Sequence, residues 1–238
     1  MKSLEELYRT RLPENSFAVI RVDGKGFSKY TRSLVRPFDA KFTHDMRETA
    51  LYMAQNIDGT VIGYTQSDEI SIIISDLASE KTQAWFGGQV QKIVSISAAL
   101  ATAKFNQLRP EMDGLALFDA RVHHLEGTEG VLEYLQWRQK DAIKNSVGML
   151  ASAHFSHKEL TSVSVRDRKE MLLNKGIDWK DLAPEVKFGS IVERQQAEKE
   201  VTFFHKGEQR DITMNVVRNE WAVEAAPFID GLEVIKLS

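Results

Sequence analysis

The sequence has no cysteine, only five prolines in 238 residues, and no long apolar run. Without cysteine it can form neither a disulfide nor a thiolate metal site, which suits a reducing compartment. Its apolar stretches fall well short of the roughly 20 residues that a membrane-spanning helix needs. Neither sign of charge dominates: 31 Lys and Arg stand against 34 Asp and Glu, a formal net charge of -3. Any contact with nucleic acid would therefore need a local basic face, because bulk charge opposes it. The first residues, MKSLEELYRT, alternate charge with leucine and set Ser3 and Glu6 at capping-box spacing. They predict a short helix and not a secretory leader. The expectation is a soluble, cytoplasmic protein with no membrane partner.

What is present is a 42% hydrophobic chain with alternating strand and helix patterns. Phe17–Val22 is apolar nearly throughout, as in a strand buried on both faces. From Phe38 onward, Phe42, Met46, Ala50, Met53 and Ile57 recur every three or four residues and form a helical stripe. Thr60–Thr65 and Glu69–Ser75 read as strands around the polar turn Gln66-Ser67-Asp68. A second stripe runs through Val90, Ile93, Val94, Ser97, Leu100 and Ala101. ALFDARVHHL reads as a fourth strand, and a third helix carries Leu132, Leu135, Ile143, Val147 and Leu150 on one side. The order βαββαβ predicts an α+β, ferredoxin-like antiparallel sheet with helices on one side. Residues 1–152, with the short N-terminal helix, are expected to form this domain. Residues 153–238 are expected to form a C-terminal α/β extension packed on it: one or two short helices, a strand, the hairpin EVTFFHKGEQRDITMNVVRN, and an irregular acidic tail from Glu220.

In that topology Asp23, at the end of the first strand, and Asp68, in the turn between the next two, meet at one edge of the sheet. Read alone, each is ordinary turn chemistry. Together they form a pair of like charges that calls for a cation. Mg²⁺ fits, because it takes hard oxygen ligands and keeps waters that phosphates can replace, and a backbone carbonyl at Gly24 or Lys25 could add a ligand. Two ions about 3.5 to 4 Å apart would suit phosphoryl or nucleotidyl transfer. Arg21, Lys25, Lys29 and Lys92 are candidate triphosphate partners, with Ser67 as a hydrogen-bond donor.

His123 and His124 are adjacent on a strand, so they face opposite ways and do not share an ion. His154 and His157, beside Lys158, lack an acidic third ligand and suit contact with RNA or a nucleotide base better than zinc. WRQKDAIKNS sets Trp137, Arg138, Asp141, Lys144 and Asn145 at helical spacings. This pattern fits either a buried Trp with an Arg138–Asp141 ion pair or a polar face directed at a nucleotide or RNA end.

RVDGKGFSKYT, YTQSDEISIII, WFGGQVQKIVS, FDARV and WRQKDAIKNS occur in the order and at the distances of the tRNA(His) guanylyltransferase family, which the sequence resembles clearly over about residues 5–160. The resemblance implies a polymerase-type palm with two Mg²⁺ ions held by Asp23, the Gly24 carbonyl and Asp68, with Glu69 beside them as a further catalytic carboxylate. It implies nucleotide binding by Arg21, Ser67 and Lys92; Lys25, Gly26 and Phe27 complete the candidate nucleotide set, and Arg138, Asn145, His154, His157 and Lys158 are the candidate RNA contacts. It also implies ATP or GTP as activating and incoming nucleotides, a homotetramer, and 3′-to-5′ addition to the 5′ end of tRNA. An arginine that the family carries one helical turn before Lys92 is Gln89 here. Where eukaryotic members carry His-Ile-Asn-Asn-Leu-Tyr-Asn, this chain has SVGMLASAHFSHKEL, similar to the bacterial and archaeal branch. Template-dependent repair of 5′-truncated tRNA is the activity that branch implies, with guanosine addition to histidine tRNA as a side reaction. The rival readings are a palm-type nucleotide cyclase and a non-catalytic tRNA-binding protein.

Overall fold

The computed structural model describes residues 2–79, 81–205, 210–235 and 237. In chain order the elements are α1 (Lys2–Glu6), β1 (Phe17–Gly24), α2 (Phe27–Tyr30), α3 (Ala40–Asn56), β2 (Thr60–Gln66), β3 (Glu69–Ser75), α4 (Val90–Leu108) and β4 (Phe118–Leu125). They continue with α5 (Gly127–Ser152), α6 (His157–Leu160), α7 (Val165–Leu173), α8 (Pro184–Phe188), β5 (Ser190–His205) and β6 (Arg210–Ala225). One antiparallel sheet contains all six strands in the order β4-β1-β3-β2-β5-β6. Its first four strands, with α3 and α4 as crossovers, make the expected ferredoxin-like α+β unit.

The two faces of the sheet follow from the period of two along its central strands. Ala18, Ile20 and Val22 of β1 and Ile70, Ile72 and Ile74 of β3 point to one side. There they pack on Met46, Ala50 and Met53 of α3 and on Ile93, Ala101 and Phe105 of α4. Phe17, Val19 and Ile73 point to the other side, against Val131, Tyr134 and Leu135 of α5. Helices on one side therefore describes only the two crossovers. The strands are apolar on both faces, so the second face also needs a cover, and α5 supplies it.

α3 begins where the Asp39 side chain accepts a hydrogen bond from the Phe42 amide at 2.7 Å, the N-cap that satisfies one of the free first-turn donors. α5 buries polar residues as well as its apolar stripe. Gln139 donates to the Pro227 carbonyl at 2.7 Å and accepts from the Ile229 amide at 2.8 Å, tying the end of the chain to the helix. Beyond Ser146 the helix packs on α7 and on the segment around Trp179.

Among the described residues β5 joins the palm sheet only through Ser190–Val192, paired with Gly63–Thr65 of β2, whereas β5 and β6 pair with each other along their whole length. The predicted hairpin is the outer part of this two-stranded arm, and its turn at residues 206–209 lies outside the described residues. The stretch from Glu220, expected to be irregular, is strand as far as Ala225. Trp221 and Val223 alternate with Glu220 and Glu224 and pack on the core, a period of two that the acidic residues obscured.

Candidate active site

β1 ends in a turn that only glycine allows. A Cβ built on Gly24 would lie 2.4 to 2.7 Å from atoms of the Phe27 ring. That ring is fixed among Tyr30, Phe42, Phe105 and Phe118. Gly26, at φ 68°, completes the turn in the left-handed region, and the Lys25 amide donates to the Leu117 carbonyl at 2.8 Å. The Phe27 side chain, expected to contact nucleotide, is a core group that shapes the turn from behind. Lys25 is exposed at the tip.

The β2–β3 hairpin closes through Ser67 and Asp68, with Gln66 paired to Glu69. Ser67 sits at φ 52°, a left-handed conformation that costs a non-glycine residue roughly 1 kcal/mol. The Gly24 amide donates to the Asp68 carbonyl at 3.1 Å, which binds this turn to the end of β1. The Ser67 hydroxyl lies 3.2 Å from Asp68 Oδ1 as its donor. Asp23 and Asp68 thus meet at one edge of the sheet, as the topology predicted.

In register, Asp23 is flanked by Glu69 of β3 and Asp119 of β4, and all three lie on the face that α5 covers lower down. Arginines balance this row. Arg121 approaches Asp119 at 3.2 Å and Asp23 at 3.8 Å. Arg138 reaches in from α5 to donate to Glu69 Oε2 at 2.8 Å, and Arg21 Nε lies 3.9 Å from the same oxygen. The Arg138 guanidinium also covers the Trp137 ring, 3.5 Å from its centroid. Arg138 was expected to touch RNA. It is 4% exposed and committed to Glu69, so it belongs to the frame of the site. Trp137, on the other hand, is 52% exposed.

Burial sets the electrostatics. It raises the pKa of Asp68 above the ordinary aspartate value, and the neighbouring Asp23 charge adds to the rise. Burial raises Glu69 as well, although Arg138 and Arg21 pull against it. Glu69 Oε1 is buried with no protein partner. Glu69 Oε2 is already held by Arg138, which leaves Oε1 as the oxygen open to a further donor or ion. Among the described residues no three His, Cys, Asp or Glu side chains converge as a metal cluster. A metal here would be held by Asp23, Asp68 and a backbone carbonyl, with water and phosphate completing the shell. That hard-oxygen donor set fits Mg²⁺, and a cation would offset the burial and the Asp23 charge that raise Asp68.

A cleft opens on the Ser67 side of this edge, between α3, α5 and α8. Phe38, Phe42 and Met46 supply its apolar wall, and Thr43, Arg47 and Asn145 are among its polar groups. Asn145 also lies 3.5 Å from the Gln66 side-chain oxygen. Lys92 is not brought to the site. β3 runs away from Asp68, so α4 starts at the opposite end of the sheet, where Lys92 lies over Phe86 at 5.9 Å. His154, His157 and Lys158 are exposed beyond the part of α5 that touches the sheet. Asp119 and Arg121 were missed as site residues, although a fourth strand beside β1 places the start of FDARV next to Asp23.

The family model described as tRNAHis guanylyltransferase matches residues 1–126. The tRNA(His) guanylyltransferase of Schizosaccharomyces pombe is 28% identical over 219 residues, covering 84% of this chain and 81% of that protein. A bacterial tRNA(His) guanylyltransferase-like protein, solved in complex with ATP, is 38% identical with a TM-score of 0.83, covering 96% of this chain and 92% of that one. A second such structure, in complex with GTP, is 36% identical with a TM-score of 0.80, covering 96% and 91%.

Proposed function

The chain belongs to the tRNA(His) guanylyltransferase family of nucleotidyltransferases, and from that premise we propose that it extends the 5′ end of tRNA in the 3′-to-5′ direction, chiefly to repair truncated tRNA. The observation that carries this reading is the meeting of Asp23 and Asp68 at one sheet edge, locked by the Gly24–Asp68 backbone bond, with Asp68 raised by burial and by Asp23. The likeness to bacterial guanylyltransferase-like proteins over nearly the whole chain supports repair over histidine-tRNA maturation as the main activity.

Asp23, Asp68 and the Gly24 carbonyl would hold Mg²⁺, which when bound supplies charge stabilisation at the attacking and leaving oxygens. The reaction has two parts. First, the 5′-monophosphate of tRNA attacks the α-phosphorus of ATP or GTP, and pyrophosphate leaves. Next, the 3′ hydroxyl of an incoming nucleoside triphosphate attacks the activated 5′ phosphorus; the activating nucleotide leaves as its monophosphate, and the hydroxyl proton passes to solvent or a nearby base. In this reading the Ser67 hydroxyl, beside Asp68, and the exposed Lys25 would contact phosphate oxygens, and Arg21 offsets the charge on the buried side of the row. The cleft beside Ser67 offers an apolar wall and Asn145 to a base and ribose. A homotetramer and a cytoplasmic location belong to the same reading. Light scattering on the purified protein tests the first.

The deciding assay supplies Mg²⁺ and labelled triphosphates with a tRNA lacking its first nucleotide, beside full-length histidine tRNA. Extension of the truncated tRNA that pairs with the 3′ strand, and that is lost in Asp68→Asn, supports the proposal. Label in a small cyclic product without RNA would make the chain a cyclase. Extension that survives both Asp23→Ala and Asp68→Ala would remove these carboxylates from the chemistry.

A further inference from the structure

Trp137 is half exposed, at the margin of α5 between the buried Tyr134 and Arg138 and the exposed Glu133 and Lys140, while Trp85 and Trp179 are buried. Its ring is held in place. One side carries the Arg138 guanidinium, itself pinned by Glu69, and the Tyr134 ring meets its edge at 5.8 Å. Arg21 lies 5.7 Å from the ring centroid on the sheet below. An aromatic plane fixed in advance loses little freedom when a second flat group stacks on it.

The ground beside Trp137 is open. β4 is the edge strand of the sheet, and its residues on this face, Arg121 and His123, are exposed. With Arg21 they line a strip that runs along β1 and β4 to Asp23, where Arg121 closes to 3.8 Å. The cleft at Ser67, by contrast, is bounded by three helices and suits a single nucleotide. An open-ended strip with an aromatic plane beside it suits a polynucleotide strand.

We propose that this strip receives the 5′-terminal strand of the RNA substrate, with one nucleobase stacked on the exposed part of the Trp137 ring and the strand's end directed at Asp23. The inference rests on the RNA-extension reading of the site. The arginines of the strip are matched, Arg121 by Asp23 and Asp119 and Arg21 by Glu69, so stacking rather than bulk charge is its attraction. Trp137 is a positioning residue, and its removal should act on RNA and not on free nucleotide.

Titration of the wild-type protein with 5′-truncated tRNA should quench tryptophan fluorescence, and Trp137→Phe should abolish most of that quench. Trp137→Ala should weaken tRNA binding roughly 5- to 150-fold, with Trp137→Phe recovering most of it. ATP affinity should stay unchanged, and so should the slope of binding against salt, since a stacked base releases no counterions. An unchanged tRNA affinity, a loss falling on ATP instead, or an altered oligomeric mass in Trp137→Ala would each overturn the proposal; the last would mean that a second copy covers the ring. Binding is read without catalysis, so tRNA that binds through Trp137 but is never extended would defeat the extension reading and leave this inference standing.

Discussion

Replacing Arg138 by methionine should destabilise the protein more than any comparable change on the exposed faces of α5. Arg138 and Glu69 are 4% and 7% exposed and joined at 2.8 Å. Removing one partner of such a pair strands the other charge in a poorly solvated site, at a cost of about 3 to 5 kcal/mol. Arg21 stays 3.9 Å from Glu69 and is itself only partly exposed, so the lower end applies, about 3 kcal/mol. For a chain of this size that is a fall in melting temperature of about 6 to 12 °C. Burial already raises the Glu69 pKa, and losing Arg138 raises it further. A carboxylate raised in the folded state costs stability as pH rises through its unfolded and then its folded value, because the folded form is the one holding the proton. The deficit of Arg138→Met should therefore be largest near neutral pH and shrink on acidification toward the ordinary glutamate range. Adding Glu69→Gln removes the stranded charge and should recover at least half of the loss. Urea unfolding of the wild type, both single variants and the double variant at two pH values measures all of this. A loss below about 1 kcal/mol, the level expected of a surface pair, would refute the reasoning, as would a double variant no more stable than Arg138→Met.

Three other outcomes follow from the same edge. Asp68→Asn should abolish extension yet raise the metal-free melting temperature, since it removes a charge that burial and Asp23 disfavour; calorimetry without divalent metal checks this. In the wild type, Mg²⁺ affinity measured by titration calorimetry should rise with pH through the elevated Asp68 pKa, and that dependence should be lost in the variant. Gly24→Ala forces its methyl into the Phe27 ring, and overpacking of this kind costs about 1 to 3 kcal/mol, read by urea unfolding. Lys92 stands at the far end of its own sheet, so a triphosphate role for it is open only toward a neighbouring copy. An inactive Lys92→Ala mixed with an inactive Asp23→Ala should then regain activity, and no recovery would remove Lys92 from the site.

The carboxylate edge was legible because two local patterns, an apolar run ending in Asp-Gly and a polar turn between two strands, become neighbours once βαββαβ is recognised. The same topology carries Asp119 and Arg121 to that edge, but only through the β1–β4 register, which no local motif displays. Lys92 was misplaced because its charge suited a phosphate, whereas the direction of β3 decides where α4 begins. Trp137 and Arg138 exchanged roles for a related reason. Helical spacing gives the neighbours of a side chain on its own helix but not the depth at which the helix sits. Here Glu69 draws the arginine inward and leaves the indole outside. The strand at Glu220–Ala225 was hidden by its charge, because one face of an arm in solvent need not be apolar.

The arm of β5 and β6 is tied to the palm through Ser190–Val192, and Ser190 pairs with Thr65, two residues before Ser67 and three before Asp68. Arg47 of α3 holds its base from the other side through the Val223 carbonyl, at 3.0 Å. In mechanical terms the arm is a long beam clamped at a short root, and that root adjoins the turn carrying Asp68. Any body that grips the beam far out applies its torque at the hairpin of Asp68, so a distant grip and the position of that carboxylate share one hinge.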